Sequence, residues 1–391
     1  MGVTKELREW QKIALNLWVE NKFHGIVEVA TAGGKTFFAL QCINEWLKNN
    51  PDGKVLIIVP TTALQDQWYL SISEDLNIQE DNICTWPEKY NSQVQFHIMV
   101  VNTARNKAKV IKTLSKKVFL IADECHRYAS TENSAALSIS ADATLGLTAT
   151  ADREFDDGLD SVLIPNLGKV IYEYTIAEAR EDGVVSEFEI NNVKVPFMPS
   201  ESVEYNKLTR RLAQAFSKND QEKIFQLSRL RAKVSSNGQS RIPVAASLVE
   251  QNIGKRIIVF HEEIEKAEII LDILFKRGRS VAIYHSKLAA ETRRDNLKLF
   301  RKGMIEILVC CRALDEGVDV PESEVAIIAA STSSNRQRIQ RMGRVIRIHT
   351  SKDIAKIYTI YITDREEEKL KLEEQELSSI AKFKWYVMGS K

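Results

Sequence analysis

The sequence predicts an α/β protein built on two doubly wound parallel sheets. Three observations carry this expectation. Short apolar runs alternate with helical stretches from residue 26 to about 150, and again from about 255 to 362. Many of those runs are almost continuous in Val, Ile and Leu, as strands buried on both faces are. The runs of the first half end on polar clusters, and open parallel sheets bind ligands at that edge. A chain of 391 residues is too long for one ordinary core. The expected division is a first domain over 1–168, a basic helical linker or thumb-like insert over 169–245, and a second domain over 246–391. The architecture repeats, but the sequence does not.

Composition narrows the class. Apolar residues make up 44% and charged residues 27%, as in a soluble globular protein. The formal net charge of +1 argues neither for nor against nucleic acid, because a local basic surface can hide in a neutral total. No apolar run reaches the ~18 residues of a membrane span. Met1 to Trp10 lacks the apolar core of a signal peptide. The five cysteines (Cys42, Cys84, Cys125, Cys310, Cys311) form no Cys-x-x-Cys pair, which points to reduced thiols and no structural zinc. A cytoplasmic protein is the expectation.

The first half opens with a helix whose apolar stripe is Trp10, Ile13, Ala14, Leu17 and Trp18. Gln11 lies outside the stripe, and pattern alone makes it a surface residue. Ile26 to Val29 reads as a buried strand and Phe37 to Trp46 as a helix. Between them stand Gly33, Gly34, Lys35 and Thr36. Glycines let backbone N–H groups approach phosphate, the helix start adds positive charge, lysine neutralises the β- and γ-phosphates, and threonine can ligate Mg²⁺. The strict phosphate-loop pattern wants glycine where Val29 stands, so a glycine-rich turn is the plain alternative. Asn50 to Gly53 is a turn. Lys54 to Pro60 reads as a strand leading through Thr61 into a helix. Phe96 to Val101 leads to Thr103, Lys116 to Ala122 to Asp123-Glu124, and Ala143 to Leu147 to Thr148-Ala149-Thr150.

The rhythm breaks from about 170 to 240. Tyr205 to Lys233 look helical, and nine Lys/Arg against three acidic residues lie between Val203 and Arg241. That excess, with Arg210 and Arg211 adjacent, suits either a solvated face or a phosphate-contacting one. The second half reads as strands at Arg256 to Phe260, Val281 to Tyr284, Ile305 to Cys310, Val325 to Ala330 and Lys356 to Ile362. Helices are expected over Glu262 to Arg277, Ala289 to Arg301, from Arg336, and over Asp364 to Lys384.

Asp123-Glu124 at the end of an apolar strand could hold Mg²⁺ and polarise water, or simply cap the strand. The phosphate loop favours the catalytic reading, since metal-assisted phosphoryl transfer needs both parts. Transfer also needs positive charge on the moving phosphoryl group. Arg344 and Arg347, three apart and so on one helix face, could offer it across a cleft; the alternative is a surface basic helix.

Taken together these elements resemble the core of a superfamily 2 helicase with two RecA-like domains, over nearly the whole chain. In that resemblance Leu7 to Gln11 is the adenine-reading glutamine element. Val29 to Thr36, with Ala32, Gly33, Gly34, Lys35 and Thr36, is the phosphate (Walker A) loop. Pro60 to Trp68, with Thr61, and Thr103 contact the nucleic-acid strand. Asp123-Glu124-Cys125-His126 is the DECH box. Thr148 and Thr150 belong to the coupling element. Ala313 to Pro321 supplies Gly317 and Asp319, the latter near the ribose or the domain interface. Gln340 to Arg347 is the arginine-finger element, with Gln340 on the γ-phosphate or water. The cofactors implied are ATP and Mg²⁺, with Thr36 and Asp123 on the metal and Glu124 orienting water. Ala32 departs from a common glycine. Cys311 stands where many members place a strand-contacting threonine; it reads equally well as core.

Asp152 to Gly158 resembles the arginine-acidic stretch of XPB-type DNA translocases, which implies DNA, single-stranded or forked, and 3′-to-5′ movement. RNA is the other partner class considered. No added recognition module stands out, so a partner protein is expected to choose the substrate. Rival functions are a duplex translocase that never separates strands and an ATP-binding switch subunit of a larger complex. No membrane partner is expected.

Overall fold

The computed structural model describes residues 6–30, 33–87, 91, 93–114, 116–130, 132–149, 158–183, 188–311, 323–330, 354–378 and 381–388. They form two compact units, each around one seven-stranded sheet with every observed pairing parallel.

The first unit begins with α1 (Glu9–Glu20), β1 (Ile26–Val29), α2 (Lys35–Asn49), β2 (Lys54–Val59) and α3 (Thr62–Leu70). It continues with β3 (Ile83–Thr85), β4 (Phe96–Val100), α4 (Val101–Leu114), β5 (Val118–Asp123), β6 (Ala143–Thr148), α5 (Ile164–Leu167), β7 (Val170–Tyr174) and α6 (Ile176–Glu181). Strand order is β3-β4-β2-β5-β6-β1-β7. The central strands β2, β5 and β6 are buried at every position, which is why β2 and β5 read as nearly continuous apolar runs. Because all strands run the same way, the segments after β1, β2, β4, β5 and β6 share one edge. The expected alternation and the expected edge are both present.

The second unit comprises β8 (Phe188–Lys194), α7 (Pro199–Ser217), α8 (Gln221–Ser236), α9 (Arg241–Glu250), β9 (Ile257–His261), α10 (Ile264–Lys276) and β10 (Val281–Tyr284). Then come α11 (Ala290–Arg301), β11 (Ile307–Cys311), β12 (Val325–Ile328), β13 (Ala355–Tyr361), α12 (Asp364–Leu377) and β14 (Ala381–Val387). Its strand order is β10-β11-β9-β12-β13-β8-β14.

Two features differ from the sequence expectation. The segment 169–245 is not helical throughout: β7 pairs with β1 in the first sheet, and β8 pairs with β13 and β14 in the second. The helical hairpin α7–α8 therefore follows a strand of the second sheet. β8 carries no apolar signature because Asn191 and Asn192 are buried in it and interrupt the pattern. The terminal helix stops at Leu377 and gives way to β14. The alternating half-exposed edge strand Ala-Lys-Phe-Lys-Trp-Tyr-Val carries lysines that resemble a continuing charged helix.

A buried ion pair ties the hairpin's base to the second sheet. Arg241 is wholly buried; its Nε donates to the Ser235 carbonyl (3.0 Å) and its guanidinium to the carbonyls of Ala329 and Ile360. It also meets Glu366 Oε1 at 2.5 Å. Glu366 Oε2 accepts from the backbone of Ile362 and Thr363 and from the Ser235 hydroxyl. Burial alone would raise the Glu366 carboxyl, but the Arg241 charge and these donors outweigh it and hold the group at about 2.

Candidate active site

The phosphate-loop glycines answer two constraints. Gly34 sits at φ 98°, a left-handed conformation that glycine adopts without strain, and it is the cap from which α2 starts. A Cβ on Gly33 would lie 2.4 Å from the Val29 side chain. The loop thus closes tightly over β1 and delivers Lys35 and Thr36 as the first residues of α2.

β1 and β5 are separated by β6, so their ends lie about 10 Å apart. Lysine and glutamate together bridge that gap: Lys35 Nζ is 3.0 Å from Glu124 Oε1. Glu124 reaches back because its own backbone is left-handed, at φ 51°. A non-glycine residue there stores about 1–3 kcal/mol of strain, a pattern that clusters at functional sites. The chain then tightens into a 3₁₀ turn, Cys125–Tyr128, pinned by the Tyr128 hydroxyl on the carbonyls of Asp123 (2.8 Å) and Ile58 (3.0 Å).

Asp123 ends β5, almost fully buried. Burial pushes its carboxyl up, Glu124 adds to this, and Lys35 opposes it. Asp123 Oδ2 accepts from the Trp68 indole N–H (2.9 Å), and Oδ1 from the Glu124 N–H (3.0 Å). Thr36 Oγ1 accepts from Gln67 Nε2 (3.3 Å). His126 Nδ1 lies 2.9 Å from Thr148 Oγ1 and 3.5 Å from Glu124 Oε2, joining the ends of β5 and β6.

Gln11 departs from the sequence expectation of a surface residue, being 2% exposed. Its Oε1 caps α1 by accepting from the Arg8 N–H (2.9 Å), and its Nε2 donates to the Gly34 carbonyl (3.2 Å). Adjacent Trp10 stacks on Tyr174 at 5.0 Å. One face of α1 is therefore spent on the phosphate loop as well as on the core.

The structure brings together Gln11, Gly33, Gly34, Lys35, Thr36, Asp123, Glu124 and Thr148. Thr61 caps α3, accepting from the Leu64 N–H (3.3 Å), and Thr103 lies half-buried in the first turn of α4. Both are on the same sheet edge. Arg210 and Arg211 are exposed on α7. Cys311 is 2% exposed and its thiol donates to the Glu262 carbonyl, so the core reading describes its position and a strand-facing thiol does not. Ala32, Thr150, Gly317, Asp319, Gln340, Arg344 and Arg347 lie outside the described residues. Sequence reasoning gave no separate role to Gln67, Trp68 or His126. The one local signal was Trp68, four residues after Leu64 on the buried face of a helix, where an indole N–H needs a partner.

Thr36 and Asp123 fit Mg²⁺ by their donor chemistry: a hydroxyl and a carboxylate, both hard oxygens. Among the described residues no group of three or more His, Cys, Asp or Glu could hold a metal ion. Magnesium suits this, because it takes one or two protein oxygens and completes its shell with water and phosphate.

The profile described as "Type III restriction enzyme, res subunit" matches residues 4–153, and "Helicase conserved C-terminal domain" matches 240–349. This chain is a superfamily 2 helicase core. The "DNA 3'-5' translocase XPB2" of Sulfurisphaera tokodaii is 26% identical over 364 residues, covering 88% of this chain and 79% of the relative. The "DNA 3'-5' helicase XPB" of Kineococcus radiotolerans is 24% identical, covering 93% of this chain and 61% of the relative. The helicase core here spans only 51% of the "Putative DNA 3'-5' helicase Rad25" of Haloarcula marismortui, at 25% identity. Among solved structures, Saccharomyces cerevisiae Dbp5 bound to RNA and ADP BeF3 superposes with a TM-score of 0.67 at 15% identity, covering 96% of this chain and 89% of that one. The DUF1998 helicase MrfA bound to DNA gives 0.65 at 16%, covering 97% and 49%. At that identity the likeness is one of fold.

Proposed function

We propose that this helicase core hydrolyses ATP with Mg²⁺ to move along DNA in the 3′-to-5′ direction. The observation that carries the reading is the Lys35–Glu124 pair, set beside Asp123 and Thr36 at one sheet edge. Lys35 takes the β- and γ-phosphates, and Thr36 and Asp123 would hold the metal, which would supply charge neutralisation to the phosphates. Glu124 orients and polarises the attacking water once phosphate claims Lys35. His126 and Thr148 carry the state of the Glu124 turn to the end of β6. Arg344 and Arg347 neutralise the transferring phosphoryl group, Gln340 contacts the γ-phosphate or water, and Gly317 and Asp319 serve the nucleotide.

DNA and its polarity are supported by the relatives named as DNA 3'-5' translocases and helicases. The strand contacts assigned are Thr61 and Thr103, with Arg210 and Arg211 on the basic hairpin. That hairpin and the start of α12 also line a cavity of about 300 Å³, where the cations Arg229, Arg231, Arg365 and Lys369 outnumber Glu366, a balance that supports phosphate contact. Such contacts read phosphate, sugar and base faces and give little sequence specificity.

The test is ATPase activity with single-stranded, forked and duplex DNA and with RNA, for the natural chain and for Glu124→Gln. DNA-stimulated hydrolysis lost in Glu124→Gln supports the reading, and equal rates sink it. A second reading, a duplex translocase without strand separation, is favoured by the relative named as a translocase. Triplex displacement without fork unwinding would select it.

A further inference from the structure

The two side chains assigned to Mg²⁺ are each held by a neighbour, and the two neighbours are consecutive. Gln67 Nε2 donates to Thr36 Oγ1 on α2, and Trp68 Nε1 donates to Asp123 Oδ2 on β5. Consecutive helical residues point about 100° apart, so α3 addresses two different elements at once. The helix cannot easily shift. It is buried from Ala63 to Leu70, and Gln65 Nε2 anchors it to the carbonyls of Trp86 (3.0 Å) and Ile98 (2.9 Å).

We propose that Gln67 and Trp68 are positioning residues for the Mg²⁺ site; this rests on the metal reading of Thr36 and Asp123. The chemistry of the donors supplies the reason. An indole N–H can only donate, so Trp68 occupies one lone pair of Oδ2, while the Glu124 N–H occupies one of Oδ1. The carboxylate plane is thereby fixed, and each oxygen keeps a further lone pair in that plane. Gln67 takes one lone pair of Thr36 Oγ1 and leaves the other for a cation. Oxygens held this way need no reorientation when the metal arrives. Partners behind metal ligands typically set metal affinity by about 10- to 100-fold. Trp68 is wholly buried and its contact with Asp123 is closed to solvent, while Gln67, 3% exposed, meets a half-buried Thr36.

The experiment titrates Mg²⁺ into the complex of the full chain with a fluorescent ADP analogue, so that no turnover is involved. Trp68→Phe keeps a ring and loses the N–H; Gln67→Leu keeps the shape and loses the amide. Circular dichroism melts establish folding, and each variant is read independently, so one suffices if the other fails to fold. The expected result is analogue affinity without Mg²⁺ within about twofold of the natural chain, with the Mg²⁺ half-saturation raised about tenfold. A merely structural role would move both affinities together. Asp123→Asn is the reference. If it loses the Mg²⁺ response while folded Trp68→Phe or Gln67→Leu keeps the natural half-saturation, the positioning role is overturned and the metal reading stands. If Asp123→Asn responds to Mg²⁺ as the natural chain does, the metal reading falls, and the positioning role with it.

Discussion

Lys35 Nζ and Glu124 Oε1 stand 3.0 Å apart although 89 residues separate them in the chain. Each side chain is under one-fifth exposed, so the pair is partly shielded from solvent. Phosphate arriving at Lys35 competes with Glu124 for the same ammonium. In the proposed function, nucleotide binding and release of the water-orienting carboxylate are therefore one event. Glu124→Gln should keep ATP binding and lower single-turnover hydrolysis by about 100-fold or more, the usual contribution of a general base. Lys35→Ala should lose ATP binding itself. Equilibrium binding and rapid-quench measurements separate the two outcomes.

Gln11, for which the resemblance to the family implies adenine reading, donates to the Gly34 carbonyl of the phosphate loop. Gln11→Ala removes that contact and the one to the Arg8 N–H, two part-buried hydrogen bonds worth about 0.5–1.5 kcal/mol each. The preference for ATP over GTP, measured as a ratio of kcat/KM values, should fall by about tenfold. An unchanged ratio would confine Gln11 to holding the loop.

Arg210 and Arg211 are exposed on α7. If they neutralise DNA phosphates, Arg210→Glu and Arg211→Glu each weaken binding and reduce the slope of log K against log salt by about 0.7 per lost contact on a single strand. Fluorescence anisotropy across a salt series gives the slope. A slope equal to that of the natural chain would mark both as part of a solvated face.

Glu366 supplies a pH dependence with a definite sign. Its folded value of about 2 lies below the ordinary 4.5, so its charged form stabilises the fold at pH above 4.5. That contribution, about 3 kcal/mol, is lost as pH falls from 4.5 toward 2. Glu366→Gln should therefore destabilise the second unit at pH 7, leaving Arg241 buried without its carboxylate, and the difference from the natural chain should shrink below pH 4.5. Urea unfolding at pH 7, 4 and 2.5 measures this.

Much of the first unit was legible locally. Val55 to Val59 and Phe119 to Ala122 are apolar at every position because both sheet faces are covered there. The second sheet was legible only in part. Asn191 and Asn192 hide β8, since polar residues in a buried strand defeat any reading by hydropathy, and the lysines of β14 imitate a charged helix. Apolar period alone puts Gln11 on the surface because it counts only apolar residues, whereas this amide is buried and hydrogen-bonded to Arg8 and to the Gly34 carbonyl.

The sequence by itself determined the alternation of strand and helix and the type of group at each strand end. Those features follow from composition and period over a few residues. Tertiary structure alone decided which groups meet. Lys35 reaches Glu124 because β6 lies between β1 and β5, and Trp68 and Gln67 reach Asp123 and Thr36 because α3 is wedged against the ends of two elements. Strand order and helix seating are set by packing across the whole unit, and no local pattern encodes them.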